Sequence, residues 1–222
     1  MTDCHPVNLA LPRIYLAGPM VFAPEPAAIF DRMKVLCRPH GVVGIAPLDN
    51  QIGLEGLAPG KSLLESIVRA DIALMDTLEA AVFCLDGFRR SPEMDAGTAF
   101  EIGYMKALSK PIAGWTSDSR PYPQRVAEFF GATFGQGLTR AAATATGGTS
   151  GLTRDPDGVL VHSEGCAQNA MVHVGIELAG GIVAVDTDWE RAFGRAVASV
   201  AAQLRKRAIG SRAATAPGKV AD

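Results

Sequence analysis

The sequence lacks a strong excess of charge of either sign. Its 222 residues carry 21 Lys and Arg against 23 Asp and Glu, which gives a formal net charge of −2. It has no basic stripe and no nucleic-acid-binding motif, so polymeric DNA or RNA is not an expected partner. No uninterrupted apolar run approaches the roughly 20 residues that span a membrane. With 48% hydrophobic residues, these absences predict a soluble globular protein.

Cysteine is scarce and scattered. The four cysteines, at positions 4, 37, 84 and 166, never occur in CxxC spacing, so neither a disulfide nor a metal site is expected from them. The amino terminus, Met1-Thr-Asp-Cys-His-Pro6, lacks the basic segment and the apolar run of a secretion signal. Free thiols without an export signal predict a cytoplasmic location.

Common cofactor and catalytic motifs are also missing. There is no GxGxxG fingerprint and no P-loop lysine pattern, and Gly147-Gly-Thr-Ser150 is only Gly-rich. The histidines at positions 5, 40, 162 and 173 show no metal-ligand spacing, and no serine or cysteine stands in a nucleophile elbow. The sequence therefore predicts neither a metal nor an organic cofactor.

Short apolar runs alternate with helical patterns in the first half of the chain. The runs predict strands at 11–17, 41–46, 80–85 and 111–115, and the patterns between them predict helices at 29–37, 62–70 and 99–108. Strands that alternate with helices imply right-handed crossovers and a parallel sheet. The predicted fold is α/β: a flavodoxin-like, doubly wound parallel sheet of about five strands with helices on both faces.

The second half of the chain is less regular. Helices are expected at 124–130, at 168–179 and at 189–207, the last as a helical carboxyl-terminal extension. Residues 131–168 are rich in Gly, Thr and Ala, and we expect an irregular insertion there. We therefore expect one domain over residues 1–208 and a flexible tail over 209–222.

Four carboxylates lie at or near the ends of predicted strands: Asp71, Asp86, Asp95 and Glu101. Asp95 is placed to cap the helix that follows it, and Glu101 falls in the first turns, where the helix dipole favours an ionised carboxylate. Doubly wound sheets bind ligands outside the carboxyl ends of their strands. Paired carboxylates suit chemistry at an acetal-like carbon, one as nucleophile and one managing the leaving group's proton.

Two stretches of the chain resemble the nucleoside 2-deoxyribosyltransferase family. They are Tyr15-Leu-Ala-Gly-Pro19 and Asp95-Ala-Gly-Thr-Ala-Phe-Glu-Ile-Gly-Tyr104, the second continuing into Ala107-Leu-Ser-Lys-Pro111. The resemblance covers about residues 12–116, with a weaker echo at Asn169-Ala-Met-Val172. It implies an enzyme that moves 2-deoxyribose between nucleobases through a covalent deoxyribosyl-glutamate, with retention at C1′. Its partners would be small deoxynucleosides and free nucleobases.

The resemblance also implies a role for each matching residue. Glu101 would be the nucleophile on C1′, Tyr15 would orient it through its hydroxyl, and Asp71 would protonate or hydrogen-bond the departing base. Asp95 would hold the sugar hydroxyls. Asn169 would cap the 5′-hydroxyl of a substrate in a neighbouring protomer, which implies a homo-oligomer, at least a dimer. Further substrate contacts are expected from Gly18, Asp86, Phe88, Gly97 and Met171, with base stacking as the role of Phe88.

The sequence leaves other functions open. With water in place of the acceptor base, the chain would be an N-glycoside hydrolase of 2′-deoxynucleosides or of their 5′-monophosphates. A monophosphate enzyme should present Ser, Arg or backbone donors to the phosphate, and Asn169 argues against that choice. A non-catalytic nucleotide-sensing module is a further alternative, which Tyr15 and Glu101 disfavour because sensing needs no buried nucleophile. Purine or pyrimidine preference would depend on loops 47–60 and 86–92.

Overall fold

A computed structural model describes residues 10–50, 58–140, 153–161 and 164–215, with side chains to residue 210. Its helices and strands follow in chain order: β1 (Arg13–Ala17), α1 (Pro26–Cys37), β2 (Val43–Ile45), α2 (Lys61–Thr77), β3 (Ala80–Cys84), α3 (Ala96–Ala107), β4 (Ile112–Thr116), α4 (Tyr122–Phe134), β5 (Thr139–Arg140), β6 (Thr153–Arg154), β7 (Leu160–Val161), α5 (Ala170–Leu178), β8 (Val183–Val185) and α6 (Trp189–Thr215). The predictions for Cys4, for the histidines at 5 and 162, for Gly147–Ser150 and for part of loop 47–60 fall outside the described residues.

Five parallel strands form the main sheet, in the order β2-β1-β3-β4-β8. The chain passes outward from β1 to β2 and then returns to place β3 on the other side of β1. The crevice outside the carboxyl ends of β1 and β3 is therefore the topological switch point, where such sheets bind ligands. The predicted doubly wound, flavodoxin-like fold is confirmed.

Both faces of the sheet are covered by helices. Ile14 and Leu16 pack on one face with residues of α1 and α6, whereas Tyr15 and Ala17 point to the opposite face, among residues of α2, α3 and α5. These four of the five β1 residues are fully buried, as expected for an interior parallel strand that is sandwiched between two helical layers. The alternation along β1 therefore directs the Tyr15 side chain toward α2 and α3.

The structure corrects the placement of Asp71. The sequence predicts a helix that ends at residue 70, which would put Asp71 at the end of an element. Instead α2 is continuous from Lys61 to Thr77. It contains neither Gly nor Pro, and its buried residues Leu74 and Met75 continue the helical pattern against the sheet. Asp71 thus projects from the body of a helix.

The second half contains more regular structure than predicted. Residues 131–168 include the end of α4 and a small antiparallel sheet of order β5-β6-β7. The fifth strand of the main sheet, β8, has only three residues and was not located from the sequence. Helix α6 continues past the predicted start of the tail at residue 209 and packs against β3, β4 and β8. No helix among the described residues is both long enough and apolar enough to cross a bilayer.

Candidate active site

A hydrogen bond between β1 and α3 forms the centre of the candidate site. The Tyr15 hydroxyl donates to Oε1 of Glu101 at 2.7 Å. Tyr15 is fully buried, and burial together with the adjacent Glu101 carboxylate raises the pKa of its phenol well above the ordinary value. Tyr15 therefore keeps its proton and acts as a fixed donor to the carboxylate.

The Glu101 carboxyl is held in a largely desolvated position. Burial is the main cause that raises its pKa from 4.5 to about 7. The Tyr15 hydrogen bond opposes this shift, while the nearby carboxylates of Asp71 and Asp95 add to it. Near neutral pH a substantial fraction of Glu101 is ionised, with few water molecules to solvate the charge, a state that favours nucleophilic attack.

Asp71 brings a second carboxyl group to this position from α2. Its Oδ1 atom is buried and has no hydrogen-bond partner among the described residues. Burial raises the pKa of Asp71 to about 6, and its charge acts on both Tyr15 and Glu101. A carboxyl group that is protonated in part of the molecules near neutral pH can donate a proton to a departing base.

Asp95 begins α3 and fixes the position of Glu101 one and a half turns later. Its Oδ2 accepts from the Thr98 backbone N–H at 2.8 Å and from Thr98 Oγ1 at 3.0 Å, a typical N-cap. Oδ1 accepts no hydrogen bond within the described residues. Gly97 lies in the same turn, where a Cβ atom would come within 3.0 Å of Asp95 Oδ2.

A cleft of about 500 Å³ opens beside Asp95. Two aromatic side chains line it, Phe22 from the turn after β1 and Phe88 from the loop after β3, with their ring centroids 5.3 Å apart. Gly18 allows the β1 turn to approach β3, because a Cβ there would lie 2.5 Å from the Cβ of Cys84. The sequence interpretation missed Phe22, although its position just after the Gly18-Pro19 turn was the signal available.

Asp86 is not brought into the group around Glu101. Its carboxylate accepts hydrogen bonds from the Thr116 hydroxyl and from the backbone N–H and hydroxyl of Ser117. These bonds tie the loop after β3 to the end of β4. Gln168 also fixes this loop, because its side-chain amide donates hydrogen bonds to the Leu85 and Pro92 carbonyls. The sequence interpretation did not single out this residue.

Asn169 and Met171 lie at the start of α5, apart from the Glu101 group. Asn169 Oδ1 accepts from the Met171 backbone N–H at 2.9 Å and so caps α5. The Met171 side chain is 85% exposed. In the described part of one protomer, neither side chain forms a hydrogen bond with Tyr15, Asp71 or Glu101.

Fold and site together define the class of protein: a flavodoxin-like α/β protein whose switch point holds a buried, tyrosine-bound carboxyl group beside two other carboxyls. A family model for nucleoside 2-deoxyribosyltransferases matches residues 14–171, a range that includes every predicted site residue. The chain belongs to the nucleoside 2-deoxyribosyltransferase family, which confirms the resemblance seen in the sequence.

Two similar proteins illustrate the relationship. An uncharacterized protein of Schizosaccharomyces pombe is 44% identical over 197 residues, covering 89% of this chain and 92% of its own length. A solved structure of a 2-deoxyribosyltransferase from Leishmania mexicana is 28% identical, with a TM-score of 0.53, and the match covers 84% of this chain and 97% of that one. Both matches extend well beyond the short motifs around Tyr15 and Glu101.

Proposed function

We propose that the protein transfers 2-deoxyribose from one nucleobase to another through a covalent intermediate on Glu101. The observation that carries this proposal is the 2.7 Å hydrogen bond from Tyr15 to the partly buried Glu101 carboxyl. A purely structural glutamate gains little from burial beside two other carboxyl groups, because each like charge raises the cost of ionising it. An ionised, poorly solvated carboxylate with one oxygen fixed is suited to attack an electron-poor carbon.

In the first step, the free oxygen of Glu101 attacks C1′ of a 2′-deoxynucleoside. The C1′–N bond breaks as the C1′–O bond forms, and the electron pair of the broken bond goes to the base nitrogen. Asp71 gives the departing base its proton and is left as a carboxylate. The buried Oδ1 of Asp71, which has no partner within the described residues, supports this assignment.

In the second step, a nitrogen of the incoming base attacks C1′ and displaces Glu101. The carboxylate leaves with the electron pair of the C1′–O bond, and the incoming base loses its proton to the Asp71 carboxylate. Two inversions at C1′ give net retention. Tyr15 donates to Glu101 throughout, so it stabilises the carboxylate as it is released.

The two ends of the substrate are assigned to different parts of the cleft. Asp95 Oδ1, which is not used by the helix cap, accepts from the sugar hydroxyls. Phe22 and Phe88 stand 5.3 Å apart at the mouth of the cleft, and Phe22 is 62% exposed. A nucleobase presents a flat face to such rings, and base–aromatic stacking contributes about 1–3 kcal/mol per base. Gly18 lets the turn that carries Phe22 lie close to β3, and Gly97 lies in the first turn of α3 beside the Asp95 carboxylate.

The active unit in this proposal is a homo-oligomer of at least two chains. Met171, Val174 and Leu178 form an exposed apolar stripe on α5, at the i, i+3, i+7 spacing of a helix face that packs against another element. Phe100, 57% exposed, lies on the neighbouring helix α3. A second copy on this face would bring Asn169 and Met171 toward a neighbouring site, where Asn169 would meet the 5′-hydroxyl.

The proposed activity is tested with purified protein, deoxyinosine and free adenine, with the products separated by chromatography. We expect deoxyadenosine to form only when adenine is present, and Glu101→Ala to reduce turnover by at least about a thousandfold. Hypoxanthine and free deoxyribose released at an equal rate without adenine would instead show a hydrolase. Ligand binding without turnover on deoxynucleosides or their 5′-monophosphates would support the sensing module and reject the transfer reaction.

The oligomeric state is tested separately by light scattering on the protein as it elutes from a size-exclusion column. Leu178→Glu places a charge in the exposed stripe and should yield monomers with reduced transfer activity, whereas Glu177→Gln beside it should change neither property. A wild-type protein that elutes as a monomer while transferring deoxyribose would reject the shared site.

A further inference from the structure

A second cavity, of about 560 Å³, lies beside the Asp95 cleft, and one loop separates the two spaces. The loop spans residues 86–94 and is closed by an antiparallel bridge between Gly87 and Met94. Phe88 and Met94 line the Asp95 cleft, whereas Arg90 lines the second cavity, and Ser91 borders both. The other walls are the turn after β4 and one face of α4. The cavity is thus a separate space next to the proposed catalytic cleft.

Arg125 of α4 is the feature of this cavity that indicates a ligand. The residue is only 4% exposed. Its Nη2 donates to the Ala167 carbonyl, but Nε and Nη1 are buried without a hydrogen-bond partner among the described residues. Leaving buried donors of a charged group unpaired is costly, so such donors normally meet an acceptor. Arg125 therefore lines the cavity with a charged group that has two donors unpaired among the described residues.

The acidic residues around the cavity are already engaged elsewhere. Arg120 forms ion pairs with both Asp118 and Glu128. The Asp86 carboxylate accepts three hydrogen bonds from the end of β4. None of these carboxylates makes a hydrogen bond or an ion pair with Arg125 in the described structure, so the positive charge of Arg125 is not neutralised by a direct ion pair with them.

The wall opposite offers further donors. Arg90 is exposed and forms no ion pair or hydrogen bond within the described part of the chain, and the Ser91 hydroxyl accepts from the Glu93 backbone N–H, which leaves its own proton to donate. Three arginines (90, 120 and 125) and three acids (86, 118 and 128) line the cavity, so its formal charge is zero. With Arg120 held by its two acids, Arg90 and Arg125 are the two arginines left to bind one compact anionic group.

We propose that this cavity binds a phosphomonoester of nucleotide size, with the phosphate at Arg125 and Arg90. The cavity volume lies in the range that holds small organic ligands, roughly 300–1,000 Å³, and far exceeds what a phosphate alone fills. Phe129 and Ala132 of α4 supply an apolar wall for the rest of the molecule. A ligand in this position contacts the loop of residues 86–94 on the side opposite the Asp95 cleft.

The test is calorimetric titration of the full chain with adenosine 5′-monophosphate, with adenosine and inorganic phosphate in parallel. Binding of the monophosphate should weaken about tenfold or more in Arg125→Met, since a charged hydrogen bond to phosphate is lost. It should weaken similarly in Ala132→Phe, which fills the cavity from an exposed position about two helical turns from Arg125. Inorganic phosphate should compete with the monophosphate, and adenosine should not.

Two controls separate this site from the proposed catalytic site. Arg32→Met removes a surface arginine that pairs with Glu190 on the opposite face of the sheet and should leave the affinity unchanged. Glu101→Ala should also leave it unchanged. Absence of monophosphate binding, loss of binding in Glu101→Ala, or equal binding in the wild type and Ala132→Phe would each overturn the proposal. Because the readout is binding, it does not depend on whether deoxyribose is transferred.

Discussion

Tyr15 and Glu101 are 86 positions apart in the chain, yet their side chains share a 2.7 Å hydrogen bond. The bond joins the interior strand β1 to the second turn of α3. Each partner is placed by an independent feature, Tyr15 by the alternation of β1 and Glu101 by the Asp95 cap. Substitutions of the residues that contact Glu101 should therefore change the pKa of its carboxyl group.

Removing the Tyr15 hydroxyl should raise the pKa of Glu101 further. The Tyr15 hydrogen bond is the contact that lowers that pKa, so Tyr15→Phe should raise the pKa of the Glu101 carboxyl, measured by NMR titration of the free protein, by about 0.5–1 pH unit. Tyr104→Phe, which removes a hydroxyl bonded to Asp76 of α2, serves as the control and should leave that pKa unchanged.

Neutralising Asp71 should have the opposite effect on the pKa of Glu101. The Asp71 charge raises that pKa, so Asp71→Asn should lower it in the same titration. The same change removes the proposed acid, so kcat should fall about 10²- to 10⁴-fold. Asp76→Asn on the same helix is the matched control. A Glu101 pKa that rises in Asp71→Asn would contradict the proposed pair.

Glu101→Gln should stabilise the fold at alkaline pH. A carboxyl whose pKa is raised from 4.5 to about 7 on folding binds its proton more tightly in the native state, so it lowers stability as pH rises through this range. The gain in unfolding free energy should be about 1–3 kcal/mol at pH 8 and much smaller at pH 5. Urea denaturation measures both values. Equal gains at the two pH values, or a matching gain in the exposed Glu65→Gln, would argue against the burial of this charge.

Asp86→Ala should weaken the fold rather than remove a catalytic group. The Asp86 carboxylate accepts from Thr116 and Ser117, and leaving these donors unpaired costs about 1–3 kcal/mol. The loss should appear in urea denaturation, with KM rising more than kcat falls because the loop that carries Phe88 becomes less fixed. A kcat loss as large as that of Glu101→Ala would place Asp86 in the chemistry instead.

Much of the fold and of the site followed from local patterns. The cap at Asp95, the helix after it and the alternation of strands and helices are local signals, and the structure contains all three. The break predicted at Asp71 was wrong, because a charged residue within a helix looks the same in sequence as one at its end. Strand β8 has only three residues, too few to show the two-residue alternation by which a strand is recognised in a sequence.

Long-range contacts were beyond a single sequence. The role of Arg125 depends on which donors remain unpaired after α4 packs against the loop of residues 86–94. Phe22 and Phe88 meet only because the turns after β1 and β3 lie side by side at the switch point. Neither relationship leaves a regular spacing along the chain.

Intact-protein mass spectrometry after a short incubation with deoxyinosine, without an acceptor base, tests the central claim most directly. We expect part of the wild-type protein to gain the mass of one deoxyribosyl group, and peptide mapping to place the added group on Glu101. Adenine added before quenching should remove it as deoxyadenosine forms. Turnover without any adduct, or an adduct on another residue that persists in Glu101→Ala, would contradict the assignment of Glu101 as the nucleophile.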